Sequence, residues 1–363
     1  MKKYLSEILI LCLVFTLSGC ASIYDKEYSY IEDYVYPTVN PDYDREVSSV
    51  NNLSELKSAI LDAVYAGSDE CQIIFAEDYR ENESEDLANA CWQIRSQDAL
   101  CAYCVEDISY DLTRIVTYNE ANVNIKYADI GIPFSDIHLL TYATGLKDII
   151  STSINNLDKK IVLCINRSSY SSNEIEDLVT ETYRERPIIS PVEPSVSVNM
   201  FSGNNSQRVY ELVLDYGLSE DELITEKELL DNISLFSEEE INLSDREKAE
   251  IIYDRLNTDE PGSGRSVYDS LVLKNANSEG NALGFVALAN EIGIDARIVY
   301  GKKLGMDFCW NIVKVDSNYY HVVVDPAQDT CVFSSDEEMW SNYRWDTSEY
   351  PQCISEFPEN ESA

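Results

Sequence analysis

Histidine is nearly absent: the 363 residues hold only His138 and His321. Any mechanism that needs an imidazole as base or ligand has few candidates. Basic residues are scarce too, with 27 Lys+Arg against 66 Asp+Glu and a formal net charge of −39. That sign argues against nucleic acid, whose phosphates call for a cationic surface. The apolar run Ile8 to Leu17 falls short of the roughly 20 residues that a membrane-spanning helix needs. Apolar residues as a class are plentiful, at 44%. At this length that is enough for two or three packed domains and excludes a wholly disordered acidic chain.

Lys2 and Lys3 precede the short apolar run, the layout of a secretory signal peptide over residues 1–19. The run closes with Leu17-Ser18-Gly19-Cys20, which resembles the lipobox of bacterial lipoproteins. The resemblance implies cleavage before Cys20 and a diacylglyceryl group on its sulfur. The expectation is a protein lipid-anchored to the extracytoplasmic face of a bacterial membrane without spanning it. Residues 20–50, rich in Tyr, Asp and Ser and without helical or strand periodicity, read as a tether.

Eight cysteines follow Cys20, too few over this length for a disulfide scaffold. Cys101-Ala-Tyr-Cys104 has the spacing of a redox or zinc half-site, but no second pair or nearby histidine completes it. No metal or other cofactor is expected. Cys71 and Cys164 sit in strand-like apolar runs and read as core residues. Cys331 and Cys353 are the pairing to test, because they flank a tail (346–363) with little else to hold it.

Leu56-Lys57-Ser58-Ala59-Ile60 recurs as Leu146-Lys147-Asp148-Ile149-Ile150, and Cys71 to Phe75 recurs at the same offset as Ile161 to Ile165. Glu85-Asp86-Leu87 matches Glu176-Asp177-Leu178 one residue out of step. The spacing predicts two repeated small α+β units, 51–130 and 131–217, each helix, strand, helix, strand, strand. Neither copy carries a nucleophile, phosphate loop or metal cluster, so both read as scaffold or binding surface.

Beyond a linker helix region (218–243), Ser244-Asp245-Arg246-Glu247 forms a capping box ahead of the apolar stripe Ala249, Ile252, Tyr253 and Leu256. A second helix is predicted from about Glu279 to Ile292. Strands follow at Asp295 to Tyr300, Phe308 to Val315 and Tyr319 to Val324, the last two joined as a hairpin by Asp316-Ser317-Asn318.

Several stretches of this region resemble the core of the transglutaminase-like superfamily: Ser266 to Val272, Ser278-Glu279-Gly280-Asn281-Ala282, Glu291 to Ala296, Gly301, Phe308-Cys309-Trp310-Asn311-Ile312-Val313 and Tyr319-Tyr320-His321-Val322. The resemblance covers roughly residues 244–345. It implies a papain-like α+β fold in which a helix carrying the nucleophile at its N-terminus packs on an antiparallel sheet. Catalysis in that family uses a thiolate, an imidazole that keeps it deprotonated and an acid that orients the imidazole. Carried over position by position, the cysteine falls on Ser278, the histidine on Phe308 and the aspartate on Val323. None of the three groups is present.

A substitute set, Ser278 with His321 and Asp325, is conceivable as a hydrolase. Against it, the family's histidine comes from the neighbouring strand. Cys309 should face away from Phe308 and from the cleft, whereas Trp310 should return to the Phe308 side and make the groove apolar. The resulting expectation is a pseudoenzyme whose groove, near Trp310, His321 and Asp325, binds a peptide or an envelope protein without chemistry. Peptidoglycan peptides fit such a groove, while anionic wall polymers would be repelled by the overall field.

Overall fold

The side chain of Asn52 accepts the N–H of Glu55 at 2.9 Å and so starts the first helix, α1 (Leu53–Tyr65). Leu56, Ile60 and Val64 repeat at helical spacing on its inner face and are fully buried. Each contributes roughly 1.5–3 kcal/mol of burial free energy. The computed structural model describes residues 47–203, 205–233, 236–258 and 260–354. The signal segment, Cys20, the tether up to residue 46 and residues 355–363 lie outside them.

In the first sheet, β1 (Ser48–Val50) pairs in parallel with β2 (Glu70–Phe75). Antiparallel β4 (Tyr118–Tyr127) and β3 (Val105–Ile115) follow, giving the order β1-β2-β4-β3. Cys71, Ile73 and Phe75 alternate inward along β2. Between β2 and β3 run α2 (Glu83–Gln97) and the short α3 (Ala99–Cys104).

The second sheet has the order β5-β6-β8-β7, from β5 (Ile137–Tyr142), β6 (Lys160–Arg167), β7 (Ser195–Ser202) and β8 (Arg208–Asp215). Its first pair is parallel and the others antiparallel, as in the first sheet. Two helices accompany it: α4 (Leu146–Asn155), entered through Gly145 at φ 83°, and α5 (Ser172–Glu185), opened by a Ser171–Glu174 capping box. The strands β1 and β5, which precede the first helix of each sheet, are not anticipated by the helix-first pattern. Both are sheet edges, and β1 has only three residues, too few to show a period. Ser48–Val50 therefore belongs to the folded body and not to the tether.

The two sheets meet at Gln207. Its Oε1 accepts the N–H of Ala99 at 2.8 Å, and its Nε2 donates to the hydroxyl of Tyr65. Gly203 approaches so closely that a Cβ there would lie 2.1 Å from the carbonyl oxygen of Gln97.

After α6 (Glu220–Asp231) and α7 (Glu238–Ile241) comes α8 (Asp245–Leu256), opened by the Ser244–Glu247 capping box. The third sheet is antiparallel throughout, in the order β11-β10-β9-β12: β9 (Ala296–Lys303), β10 (Met306–Val315), β11 (Asn318–Val322) and β12 (Tyr343–Arg344). Helix α9 (Ser278–Ile292) covers one face with Phe285, Val286 and Ala289. Ile298, Val313, Val315, Tyr320 and Val322 point toward it, and Asn311 Nδ2 donates to the Ala282 carbonyl at 3.0 Å. Val299, Trp310, Ile312 and Val323 point the other way, against Met339, Tyr343 and Cys353. One core runs from Leu146 on α4 to Val324, so the second and third sheets share their packing. In the tail, Cys353 O accepts the N–H of Asp336 at 3.0 Å. The chain is thus a mixed α+β protein. Among the described residues no helix is long and apolar enough to cross a membrane.

Candidate functional site

The N-terminus of α9 is built by a tight loop. Asp269 accepts the N–H and hydroxyl of Ser266 at 3.0 and 2.7 Å, and Asn277 donates its N–H to Gly264 O at 2.7 Å. Asn277 then caps the helix, its side chain accepting the N–H groups of Glu279 and Gly280 at 2.9 and 3.2 Å. This fixes Ser278 at the first helical position, half-buried, with its Oγ accepting the N–H of Cys309 at 3.3 Å. Ser278 and Cys309 share a groove of about 790 Å³ with Glu279, Asp307, Phe308 and Trp345.

The strand alternation holds, but the covered face differs from the sequence expectation. Cys309 does oppose Phe308, yet α9 lies over the Cys309 face. Cys309 therefore borders the groove beside Ser278 on the α9 side, while Phe308, which still reaches the rim of the groove, and Trp310 pack into the layer behind the sheet. The reason is register: Cys309 pairs with Tyr300 and Trp310 with Val299, and only the first pair faces the helix. Burial, followed by the carboxylate of Glu279, pushes the Cys309 thiol up to about 12, so it does not supply a thiolate at neutral pH.

Phe308 packs edge-on to Tyr343 with ring centroids 6.0 Å apart, and Lys303 Nζ sits 5.0 Å from its ring centre. Val323 is buried behind the sheet with Trp310. Of the three positions that the resemblance assigns to catalysis, Ser278 and Phe308 border one groove and Val323 does not.

His321 is fully buried beside Trp310. Trp310 Nε1 donates to His321 Nδ1 at 2.9 Å, and His321 Nε2 lies 2.9 Å from Asp336 Oδ1. An indole nitrogen only donates, so Nδ1 must be the unprotonated nitrogen. The proton is then on Nε2 and is donated to Asp336. Burial holds the imidazole pKa below the usual 6.5, against the upward pull of Asp336. His321 is therefore neutral, and both of its nitrogens are engaged.

That relay also bears on metal binding. His321, Asp336 and Cys353 place one potential ligand atom each within 4.8 Å of one another. A coordinating imidazole offers one lone pair and keeps its proton on the other nitrogen. Here the Trp310 N–H already occupies the Nδ1 lone pair. Freeing Nε2 for a metal would set two N–H groups against each other in a packed layer, so this cluster does not fit a metal.

The Asp325 carboxylate is bonded by Lys303 and Ala327 and not by Ser278 or His321. Burial raises its pKa, but the Ala327 N–H and the Lys303 ammonium, 3.0 Å away, outweigh that and hold the carboxyl below the usual range. The structure thus does not assemble Ser278, His321 and Asp325. His138 sits on β5 beside a different groove, near α4 and α6. Trp310, expected in a groove, is 1% exposed and forms the floor of the layer behind the sheet.

All eight described cysteines are free thiols. Cys331 packs against the α9 side of the third sheet and Cys353 against the opposite side, so the sheet separates the two cysteines named as the pairing to test. Cys101 and Cys104 are buried within α3. The partner that sequence reasoning missed is Asp336. Its signal was the capping box Ser335 to Glu338, which starts α10 (Asp336–Met339) and aims Asp336 at His321.

No family model matches the chain, and no curated protein matches it. A solved structure described as "Crystal structure of a TGase" is similar at 12% identity and a TM-score of 0.22, a likeness too slight to carry an argument. It covers 59% of this chain and 63% of that one, so the chain spans less than two thirds of that protein.

Proposed function

We propose that this chain is a lipid-anchored protein of the extracytoplasmic face of a bacterial membrane, attached through Cys20. In this reading residues 244–345 form a transglutaminase-like, papain-like domain that has lost its chemistry and binds a peptide or an envelope protein. Residues 51–130 and 131–217 are a duplication that presents it. The shared strand order and the shared sense of pairing of the first two sheets support the duplication.

The observation that carries the loss of chemistry is the environment of Ser278. Its Oγ is held by a backbone N–H, and neither histidine of the chain is placed to deprotonate it. His321 is on the other side of the sheet with both nitrogens engaged, and His138 borders a separate groove. Ser278 therefore lacks the imidazole base that activates a nucleophile in the family it resembles.

The test is to incubate the purified protein with amine donors, glutamine-bearing acceptors and peptide or ester substrates. No turnover above background is expected, and turnover abolished by Ser278→Ala overturns the reading. For the anchor, Cys20→Ser is expected to move the protein out of the membrane fraction. Unchanged membrane association would refute attachment at Cys20.

A further inference from the structure

Behind the third sheet a second groove of about 710 Å³ adjoins the His321 relay, lined by Trp340, Trp345 and Tyr350 together with Asp336 and Glu337. Among the described residues no Lys or Arg lines it. The Trp345 ring lies 4.8 Å from His321 and 5.8 Å from Trp310, which anchors it, and 5.3 Å from Trp340, which is 46% exposed. Trp345 also borders the Ser278 groove on its other side.

We propose that this groove binds a small quaternary ammonium ion. Aromatic ring faces carry negative quadrupole charge and attract cations, most strongly when the ring is tryptophan. Trp340 already accepts one: the Arg344 guanidinium lies 5.6 Å from its ring centre, held by the carbonyls of Trp340 and Tyr343. The carboxylates add Coulomb attraction. His321 meets Asp336 through a single ring nitrogen, Nε2, at Oδ1. Of the described residues from Trp345 onward, Asp346 and Glu349 are acidic and none is Lys or Arg, so beyond Arg344 this stretch adds only negative charge. The competing occupant is the chain's own segment 355–363, which offers Phe357. It brings three further carboxylates toward a groove that already has two, and charge therefore disfavours it.

The proposal goes beyond the reading of the Ser278 groove and does not depend on it. The test titrates the full chain with choline, and separately with its uncharged isostere 3,3-dimethylbutan-1-ol, at constant ionic strength, followed by calorimetry and tryptophan fluorescence. Saturable choline binding is expected, with the isostere at least about tenfold weaker. Trp340→Ala should weaken choline about tenfold and Glu337→Gln about threefold. Both side chains are exposed, so folding should survive, and far-UV circular dichroism checks that it does. Equal binding of choline and isostere, no saturable choline binding, or unchanged binding in both variants would overturn the proposal. Saturable binding that appears only after truncation at Ile354 would identify the tail as the occupant and overturn it as well.

Discussion

Trp310 donates its indole N–H to His321 Nδ1 at 2.9 Å, and this one hydrogen bond decides what the chain's buried histidine can do. It fixes the tautomer, keeps the ring neutral and turns Nε2–H toward Asp336. A base or a metal ligand needs the lone pair that Trp310 has taken.

Replacing Trp310 with Phe keeps a ring but leaves Nδ1 buried without a donor. A loss of about 1–3 kcal/mol is expected in urea unfolding. Because Nδ1 is then open, His321 should titrate within the folded state in NMR, which it should not do in the parent protein near neutral pH.

The depressed pKa of His321 sets a pH dependence. The unfolded chain takes up a proton near 6.5, while the folded chain resists until a lower pH. The stability contributed by neutral His321 is present above about 6.5 and is lost as pH falls through the folded value. His321→Gln should flatten that part of the stability profile, and an unchanged slope would count against the relay.

Asp98 has the opposite sign. Burial raises its pKa above 3.8, outweighing hydrogen bonds from Cys101 and Tyr65. Its contribution is present in full below about 3.8 and falls as pH rises through the folded value. At neutral pH, Asp98→Asn should be neutral or stabilising. Asp98→Ala should cost about 1–3 kcal/mol, because the N–H of Cys101 and the hydroxyl of Tyr65 lose their acceptor. Denaturant unfolding at pH 4.5 and 7.5 separates the two variants.

Gly301 sits where β9 meets β12. A Cβ there would lie 2.5 Å from both Arg344 O and Trp310 Cη2. Gly301→Ala should therefore force strand and indole apart at a cost of about 1–3 kcal/mol. The shift should appear as a change in tryptophan fluorescence as well as in the unfolding midpoint.

Ser278→Ala removes only an acceptor for one half-buried N–H. A loss of about 1 kcal/mol or less is expected in urea unfolding, with peptide binding in the groove retained within about threefold.

Local signals were legible where they repeat or cap. The Ser244–Glu247 box, the α9 stripe and the β10–β11 hairpin with its turn at Asp316 all fall within a few residues of their sequence positions. The parallel edge strands β1 and β5 were not legible, because a three-residue strand and a half-covered one carry no distinctive period. The separation of Cys331 and Cys353 was not legible for a different reason: sequence spacing says nothing about which side of a sheet a thiol occupies.

By itself the sequence determined that Ser278 opens a helix, that Phe308 and Cys309 face opposite ways and that a histidine is missing from the position the resemblance assigns to it. Those follow from capping chemistry, strand alternation and residue identity, all local. Only the tertiary structure decided that α9 covers the Cys309 face, that His321 is engaged by Trp310 and Asp336, and that Asp325 pairs with Lys303. Each of those depends on which surface another element buries, and that is settled by packing between residues far apart in the chain.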